Sequence, residues 1–256
     1  MSCIEYSQRL LNAGLLTPKE LPAILSGEVS EQALRERFGK QPPDTHPARS
    51  AVLQAAKGLR NIEQEVTAYA DYVELFTASL YRFLKLSSLV IPQCLDASVL
   101  EDAPHTWAVA QHITGDVSIV NGIIARDEVF LALARRYGGD AVEDLKGDAT
   151  DALEEFLNVV NGLYIVELAN RKIEPNLDFP LANEDVIPRG SHQLLLRVYT
   201  EAGDFILVLS TRLRSAAERL MALGLSAEFH RALAKKAIRS LKSNYPGAYH
   251  LAVLAC

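Results

Sequence analysis

The sequence predicts an α+β protein whose sheet is largely antiparallel. Two runs rich in Val, Ile and Trp, residues 106–113 and 117–125, flank a Thr-Gly-Asp turn and predict a β-hairpin. A second hairpin is predicted for residues 194–199 and 205–210, around a turn that contains Gly203. Because helical patterns lie between the two hairpins, this order of elements favours helices packed on one antiparallel sheet.

Two helices are predicted between the hairpins. The first covers residues 127–137 and ends at Gly138 and Gly139, since glycine readily adopts the conformation that closes a helix. The second and longer helix covers residues 148–170. We therefore divide the chain into a helical N-terminal region (1–104), an α+β domain (105–210) and a C-terminal helical extension (211–256).

The N-terminal region begins with short helices. Residues 17–20, Thr-Pro-Lys-Glu, combine a capping threonine, a proline in the first turn and an acid, which is typical of a helix start. Ser30 begins another helix that ends near Gly39. Residues 40–48 contain three prolines and predict a linker, and residues 87–104 are expected to be irregular.

Residues 49–86 carry the longest helical pattern. Apolar residues recur at alternating steps of three and four, which is a heptad repeat. Such a stripe either pairs with a partner or packs on the neighbouring domain, and we favour packing within the chain. A break near 68–71 would make two helices of it. The stripe consists of Leu59, Ile62, Val66, Tyr69, Val73, Phe76, Leu80 and Phe83.

Composition excludes several classes of function. The formal net charge of −6 argues against nucleic-acid binding, which needs a basic face. The three cysteines share no metal-ligand spacing and are odd in number, so we expect no disulfide framework and a reducing, cytoplasmic environment. No run of 18 uncharged apolar residues suggests a membrane span, and the first residues do not predict a signal peptide.

No metal centre or nucleophile of this chain's own is expected. His105 and His112 lie seven residues apart on a predicted strand and so face opposite sides, which argues against a shared metal ion. No Ser/His/Asp arrangement and no glycine-rich phosphate loop is evident in the sequence.

The helix predicted for 148–170 carries a polar stripe opposite its apolar face. At about 100° per residue, Asp151, Glu155, Asn158 and Gly162 fall within about 60° of one another. Glycine inside a helix costs about 1 kcal/mol relative to alanine, and a partner whose backbone approaches closely would explain it. A plain solvated face with a packing notch is the alternative, and Asp151 also suits the helix N-terminus. The opposite face consists of Leu153, Phe156, Leu157, Val160 and Tyr164.

The pattern Glu-x-x-Asn-x-x-x-Gly, here Glu155, Asn158 and Gly162, resembles the signature helix of CheX-type chemotaxis phosphatases of the CheC/CheX/FliY group. An acid four residues before the glutamate, Asp151, belongs to the same resemblance. The flanking order is also similar to that of the family: residues 113–117 to its opening hairpin, the alanines at 132 and 134 to its preceding helix, and residues 177–180 to its short extended segment.

The resemblance implies a CheX-like domain over residues 105–210, with an antiparallel sheet packed by two long helices. Members hydrolyse the aspartyl phosphate of a CheY-like response-regulator receiver domain, and the receiver supplies both Mg²⁺ and the acyl phosphate. Asn158 would orient the attacking water, Glu155 would pair with the receiver's lysine, and Asp151 and Gly162 would contact the partner.

The resemblance also implies a homodimer, paired through the sheet or through the heptad stripe. A different class of function stays open. The same helix could dock a receiver domain or a flagellar motor-switch component without hydrolysis. No constellation of residues supports an enzyme acting on small molecules.

Overall fold

A computed structural model describes residues 3–40, 44–59, 65–101, 105–186 and 192–211. Within them the α+β class is confirmed, with helices packed on one antiparallel sheet. The helical extension expected for 211–256 lies outside the described residues, apart from Thr211. Across the described ranges, each helix is too short or too polar to traverse a lipid bilayer.

The described chain begins with five helices, after which strands and helices alternate. The helices are α1 (Cys3–Asn12), α2 (Leu21–Leu25), α3 (Glu31–Phe38), α4 (Pro47–Ala55), α5 (Val66–Ser79), α6 (Ser98–Glu101), α7 (Asp127–Gly138) and α8 (Thr150–Asn170). The strands are β1 (Ser88–Cys94), β2 (Thr106–Gly115), β3 (Ile119–Arg126), β4 (Pro175–Leu177), β5 (Leu181–Glu184), β6 (Leu194–Thr200) and β7 (Gly203–Thr211).

The strands form one sheet in the order β1-β6-β7-β3-β2-β4, and β5 also pairs with β2. Every pairing is antiparallel. Both predicted hairpins are confirmed, as β2/β3 and β6/β7, with each strand extended by one to a few residues or shifted at its ends. The short strands β4 and β5 follow one another along the outer edge of β2, so the segment between them lies beside the middle of that strand.

The turn between β2 and β3 depends on one glycine. Gly115 has φ +98°, and a Cβ atom there would lie 2.2 Å from the carbonyl oxygen of Glu174. Asp116 binds the turn to the same residue, because its carboxylate accepts a hydrogen bond from the Glu174 amide at 2.9 Å. The hairpin is thereby fastened to the start of β4.

The main core lies between the sheet and the helices α5, α7 and α8. The heptad stripe is part of it: Tyr69, Val73, Phe76 and Leu80 are all fully buried. Packing of this stripe within the chain is therefore confirmed. The predicted break was misplaced, because α5 runs unbroken across 68–71 and the interruption lies ahead of Val66.

The irregular segment expected for 87–104 is wrong in two places, since Ser88–Cys94 form the edge strand β1 and Ser98–Glu101 form α6. Helix α1 packs along the outer edge of β1. The side chain of Gln8 accepts from the amide of Val90 and donates to its carbonyl, both at 2.7 Å. The predicted N-terminal region thus contributes a strand to the sheet of the following region, while the division at residue 104 stays a prediction.

The predicted helix starts of the N-terminal region are confirmed. Thr17 and Glu20 form a capping box around a short 3-10 turn that leads into α2. The Ser30 hydroxyl accepts from the amide of Ala33, and α3 ends at Gly39 with φ +68°. Helices α1, α2 and α3 build a second, smaller core against β1, in which Tyr6, Leu10 and Leu21 are fully buried.

Candidate functional site

The polar stripe predicted for α8 is present on its surface. Asp151, Glu155 and Asn158 are exposed, and Gly162 is half-buried with open space where a Cβ atom would lie. The opposite face is buried: Leu153, Phe156, Leu157, Val160 and Tyr164 are at most 1% exposed. The helix is therefore clamped on the sheet by one face and presents the four stripe residues on the other.

Helix α8 begins two residues later than predicted, at Thr150. An irregular turn precedes it, in which Gly147 has φ +115°. The side chain of Thr150 stabilises this turn, donating to the carbonyl of Gly147 at 2.9 Å and accepting from its amide at 3.1 Å. The first stripe residue, Asp151, consequently lies in the first turn of the helix, where a carboxylate is favourable to the helix dipole.

A groove runs between α8 and the segment that links β4 to β5. Phe179 lies on its outer wall and is the most exposed large apolar side chain of the described residues, at 89%. The two walls together expose carboxylates, one carboxamide and one aromatic ring to a partner. The groove is lined by Asp151, Glu154, Glu155, Asn158, Leu177, Asp178, Phe179 and Pro180.

The carboxamide of Asn158 is held from below by a buried glutamine. Gln111, on β2, is fully buried and donates from Nε2 to Oδ1 of Asn158 at 2.8 Å. Because its oxygen is engaged with the protein interior, the amide nitrogen of Asn158 is turned toward the groove. Gln111 Nε2 also donates to the backbone carbonyl of Asp178 at 2.8 Å, which ties the two walls of the groove together.

Although no Ser/His/Asp arrangement is evident in the sequence, the fold brings Asp178, His112 and Ser118 together. Asp178 accepts from Nδ1 of His112 at 3.1 Å, and Nε2 of His112 lies 3.0 Å from the hydroxyl of Ser118. The His112 side chain is only 2% exposed, so a substrate could not reach the imidazole that would have to act as base. We assign the arrangement a structural role: together with the Asp178 amide, which donates to the carbonyl of His112 at 3.0 Å, it fastens the groove's outer wall to β2.

Glu154 fastens the other end of that wall. Its carboxylate accepts a hydrogen bond from the backbone amide of Ala182, on β5, at 2.7 Å. Burial raises the pKa of the Glu154 carboxyl, and the hydrogen bond from Ala182 offsets only part of this effect. Although Glu154 adjoins Glu155 in sequence, the former bonds to the protein and the latter is free to meet a partner.

The groove is strongly acidic. Four carboxylates line it, those of Asp151, Glu154, Glu155 and Asp178. The stretch from residue 140 to 155 carries seven acids in all, with Lys146 as its single basic residue. Lys146 does not neutralise the stripe, because its amine pairs with Glu184 at 2.5 Å. A partner that brings a phosphoryl group to this surface must therefore bring cations as well.

His105 and His112, which the sequence does not predict to share a metal ion, lie in different surroundings. His105 is exposed and pairs with Asp127 at 2.9 Å, whereas His112 is buried. In the described part of the chain, no three His, Cys, Asp or Glu side chains converge in a way that could hold a metal ion. Supply of Mg²⁺ by a partner stays a prediction.

Two residues of the site were missed in the sequence. Gln111 was not singled out, although a polar side chain inside the run Trp-Ala-Val-Ala-Gln-His-Ile is the kind of buried amide that needs a specific partner. Phe179 was noted only as part of an extended segment. Its exposure could not be derived from the sequence, because it depends on how the β4–β5 segment lies against α8.

Comparison with solved structures returns chemotaxis proteins. A CheX from Desulfovibrio desulfuricans is 15% identical and covers 55% of this chain and 96% of its own, with a TM-score of 0.43. A CheX–CheY–BeF3–Mg²⁺ complex from Borrelia burgdorferi is 14% identical and covers 56% and 96%, with a TM-score of 0.44. FliY from Thermotoga maritima is 13% identical and covers 62% and 86%, with a TM-score of 0.39.

No protein-family model matches the chain. Among curated proteins, cobalt-precorrin-5B C(1)-methyltransferase of Dechloromonas aromatica is 70% identical over 43 residues, which are 17% of this chain. The chain spans only 11% of that protein's length, so its activity is not carried over.

Glu154→Gln tests the tether between α8 and β5. Glutamine keeps an oxygen that accepts from the Ala182 amide but removes the half-buried charge. Because the folded-state pKa of Glu154 is raised above its ordinary value of 4.5, its contribution to stability is full below pH 4.5 and is lost as pH rises through the folded pKa. We expect the unfolding free energy of the variant, relative to that of wild type, to increase as pH rises through that window and to stay increased at pH 7. Urea denaturation at several pH values measures this difference. A difference that is smaller at pH 7 than at pH 4 would contradict the prediction.

Proposed function

We propose that the chain dephosphorylates the aspartyl phosphate of a CheY-like response-regulator receiver domain, and that the stripe on α8 contacts the phosphorylated site. One observation carries the proposal: an exposed carboxylate, Glu155, and an exposed carboxamide, Asn158, stand three residues apart on a rigid helix, with the carboxamide oriented from within by Gln111. The proposal places the protein in the cytoplasm, with this chain as a homodimer.

The chemistry asks for positioning rather than for a nucleophile of the enzyme. Hydrolysis of an acyl phosphate needs a water held in line with the leaving oxygen. A carboxamide suits this task because it forms hydrogen bonds and does not titrate. Since the oxygen of Asn158 is bonded to Gln111, its amide nitrogen is the donor left for the groove, where it donates to the negatively charged phosphoryl oxygens and so aligns the group for the water.

Glu155 is assigned to docking geometry. Receiver domains of the family resembled carry a lysine beside the phosphorylated aspartate, and pairing with it would fix the angle at which α8 enters. The receiver's Mg²⁺ and this lysine are also the cations that the acidic groove requires. Asp151 and Gly162, one turn to either side of the central pair, contact the receiver surface under this proposal.

A second candidate function is a docking module that binds a receiver or a motor-switch component without hydrolysis. The acidity of the groove favours it, since acids around Asn158 repel a phosphoryl group unless cations offset them. The two candidates share the same surface and differ only in whether bound phosphoryl decays faster.

The proposed activity is tested by release of inorganic phosphate from a panel of phosphorylated receiver domains. Wild type is expected to accelerate release from at least one of them. Asn158→Ala is expected to lose about 100-fold in maximal rate, because a missing or misplaced positioning group costs about that much. Glu155→Ala is expected to lose most of the wild-type acceleration of phosphate release, because it binds the receiver more weakly.

Matched controls lie on the same helix. Asn170→Ala removes an exposed carboxamide at the end of α8, and Glu167→Gln removes a charge beyond the stripe. Both should behave as wild type. Binding of a phosphorylated receiver with an unchanged decay rate would reject the phosphatase and leave the docking module. Equal loss in the controls and in the stripe variants would show that the stripe has no special role.

Gly162→Ala separates stability from docking. The Cβ atom meets nothing within 4 Å, so alanine should stabilise the helix by about 0.5–1 kcal/mol. The same methyl group should weaken receiver binding if a partner backbone approaches there. Thermal unfolding and a binding titration measure the two effects. A variant that is more stable and binds equally well would remove Gly162 from the interface.

Phe179→Ala tests whether the exposed ring anchors the partner. Removing a large apolar side chain from a contact typically weakens binding by about 1 kcal/mol or more. We expect a KM for the phosphorylated receiver that is raised at least about fivefold, with a maximal rate close to wild type, because the ring lies beside the reacting groups and not among them. An unchanged KM would place the receiver elsewhere.

A further inference from the structure

Four carboxamides meet where α8 crosses the sheet. Gln111 on β2 and Asn121 on β3 are direct cross-strand partners and are both fully buried. Asn158 and Asn161 lie three residues apart on α8, and Asn161 is also fully buried. Three of the four side chains are thus buried where α8 packs on β2 and β3, and Asn158 lies at the surface. We call these four residues the amide chain.

The amide chain is continuous from the sheet to the groove. Asn121 Nδ2 donates to Oδ1 of Asn161 at 3.0 Å, and Asn161 Nδ2 donates to Oε1 of Gln111 at 2.8 Å. Gln111 Nε2 then donates to Oδ1 of Asn158 at 2.8 Å. Every bond runs in the same direction, with the donor nearer the interior and the acceptor nearer the groove.

One backbone atom sets that direction. A peptide carbonyl can only accept, so the contact of Gln111 with the Asp178 carbonyl at 2.8 Å requires the nitrogen of Gln111 on that side. The side-chain oxygen of Gln111 then faces Asn161, which must donate to it from Nδ2. The side-chain nitrogen of Gln111 faces Asn158, which must accept at Oδ1. The Asp178 carbonyl cannot turn away easily, because the amide and the carboxylate of Asp178 are both bonded to His112.

The end of the amide chain that lies farthest from the groove destabilises the fold, because it buries an unpaired acceptor. Oδ1 of Asn121 is buried and finds no hydrogen-bond partner among the described residues. Apolar residues would fill this interface without an unpaired acceptor, so stability alone does not account for the amides. Departures from local packing rules of this kind are expected where a site must be oriented.

We propose that Gln111 is a positioning residue, which, with Asn161 and Asn121 behind it, locks the Asn158 carboxamide with its oxygen inward and its NH₂ group toward the partner's phosphoryl group. The inference rests on the proposed phosphatase function for its catalytic consequence. Asn158 then acts on the reacting atoms as a donor. A freely rotating asparagine would present its oxygen part of the time, and that oxygen would repel the phosphoryl oxygens.

The kinetic test uses Gln111→Met in the full chain. Methionine keeps the length of the side chain but cannot hold Asn158. The maximal rate of receiver dephosphorylation should fall at least about tenfold, while KM and the affinity for a beryllofluoride-loaded receiver, which mimics the phosphorylated form, stay within about twofold. Ile113→Val, on the same strand and also fully buried, controls for a core that is merely loosened and should keep the wild-type rate.

Non-additivity distinguishes positioning from a general structural role. If Gln111 acts only through Asn158, the double variant Gln111→Met/Asn158→Ala should be no slower than Asn158→Ala alone. A further loss in the double variant would overturn the proposal, and so would a wild-type maximal rate in Gln111→Met.

A second measurement does not depend on activity or on folding of a variant. In the wild-type protein, scalar coupling across the hydrogen bond should connect Nε2 of Gln111 with the side-chain carbonyl carbon of Asn158. Coupling from Nδ2 of Asn158 to the side-chain carbonyl of Gln111 would reverse the chain and overturn the inference. A protein with the expected coupling but no effect on any receiver would reject the proposed function and the catalytic use of the chain, while confirming the orientation of Asn158.

Discussion

The burial of one face of α8 against the sheet is the constraint on which the candidate site depends. Phe156 lies in the middle of that face, with ring centroids 6.1 Å from Phe76 and 5.6 Å from Tyr137. Such aromatic contacts add specific geometry to the apolar area that is buried. Because the helix cannot roll without opening this core, the exposed stripe keeps one direction, and a site that works by positioning requires that rigidity.

The buried apolar face fixes the orientation of α8, and polar contacts then fix the positions of the side chains and of the wall around the groove. Gln111 joins Asn158 to Asp178, and Glu154 joins α8 to Ala182, so both ends of the groove's outer wall are tied to the helix or to β2. These bonds lie in a partly dry environment, where each is stronger than in water and also more costly to leave unmade. Under the proposed function, the acidic surface that they frame would favour a partner that brings its own cations, since the carboxylates repel a phosphoryl group.

The helix stripe could be predicted from the sequence because its period is local. The residues from Asp151 to Gly162 lie on one continuous helix, and the angular positions follow from the rise and turn of that helix alone. The hairpins were predictable for the same reason. Strand β1 was not, because it contains Pro92 and owes its pairing to β6, far along the chain, and to the side chain of Gln8. The amide chain likewise joins two strands and a helix, and no local pattern states which amide meets which.

The central claim is that the Asn158 carboxamide faces the phosphorylated site of a receiver domain. The most direct measurement is an NMR titration of the labelled chain, following the side-chain NH₂ signals of Asn158, with a receiver in its beryllofluoride-loaded and unloaded forms. We expect these signals to shift with the loaded receiver and much less with the unloaded one, and the Asn170 side-chain signals to stay in place. Binding that shifts other surfaces while the Asn158 signals do not move would contradict it.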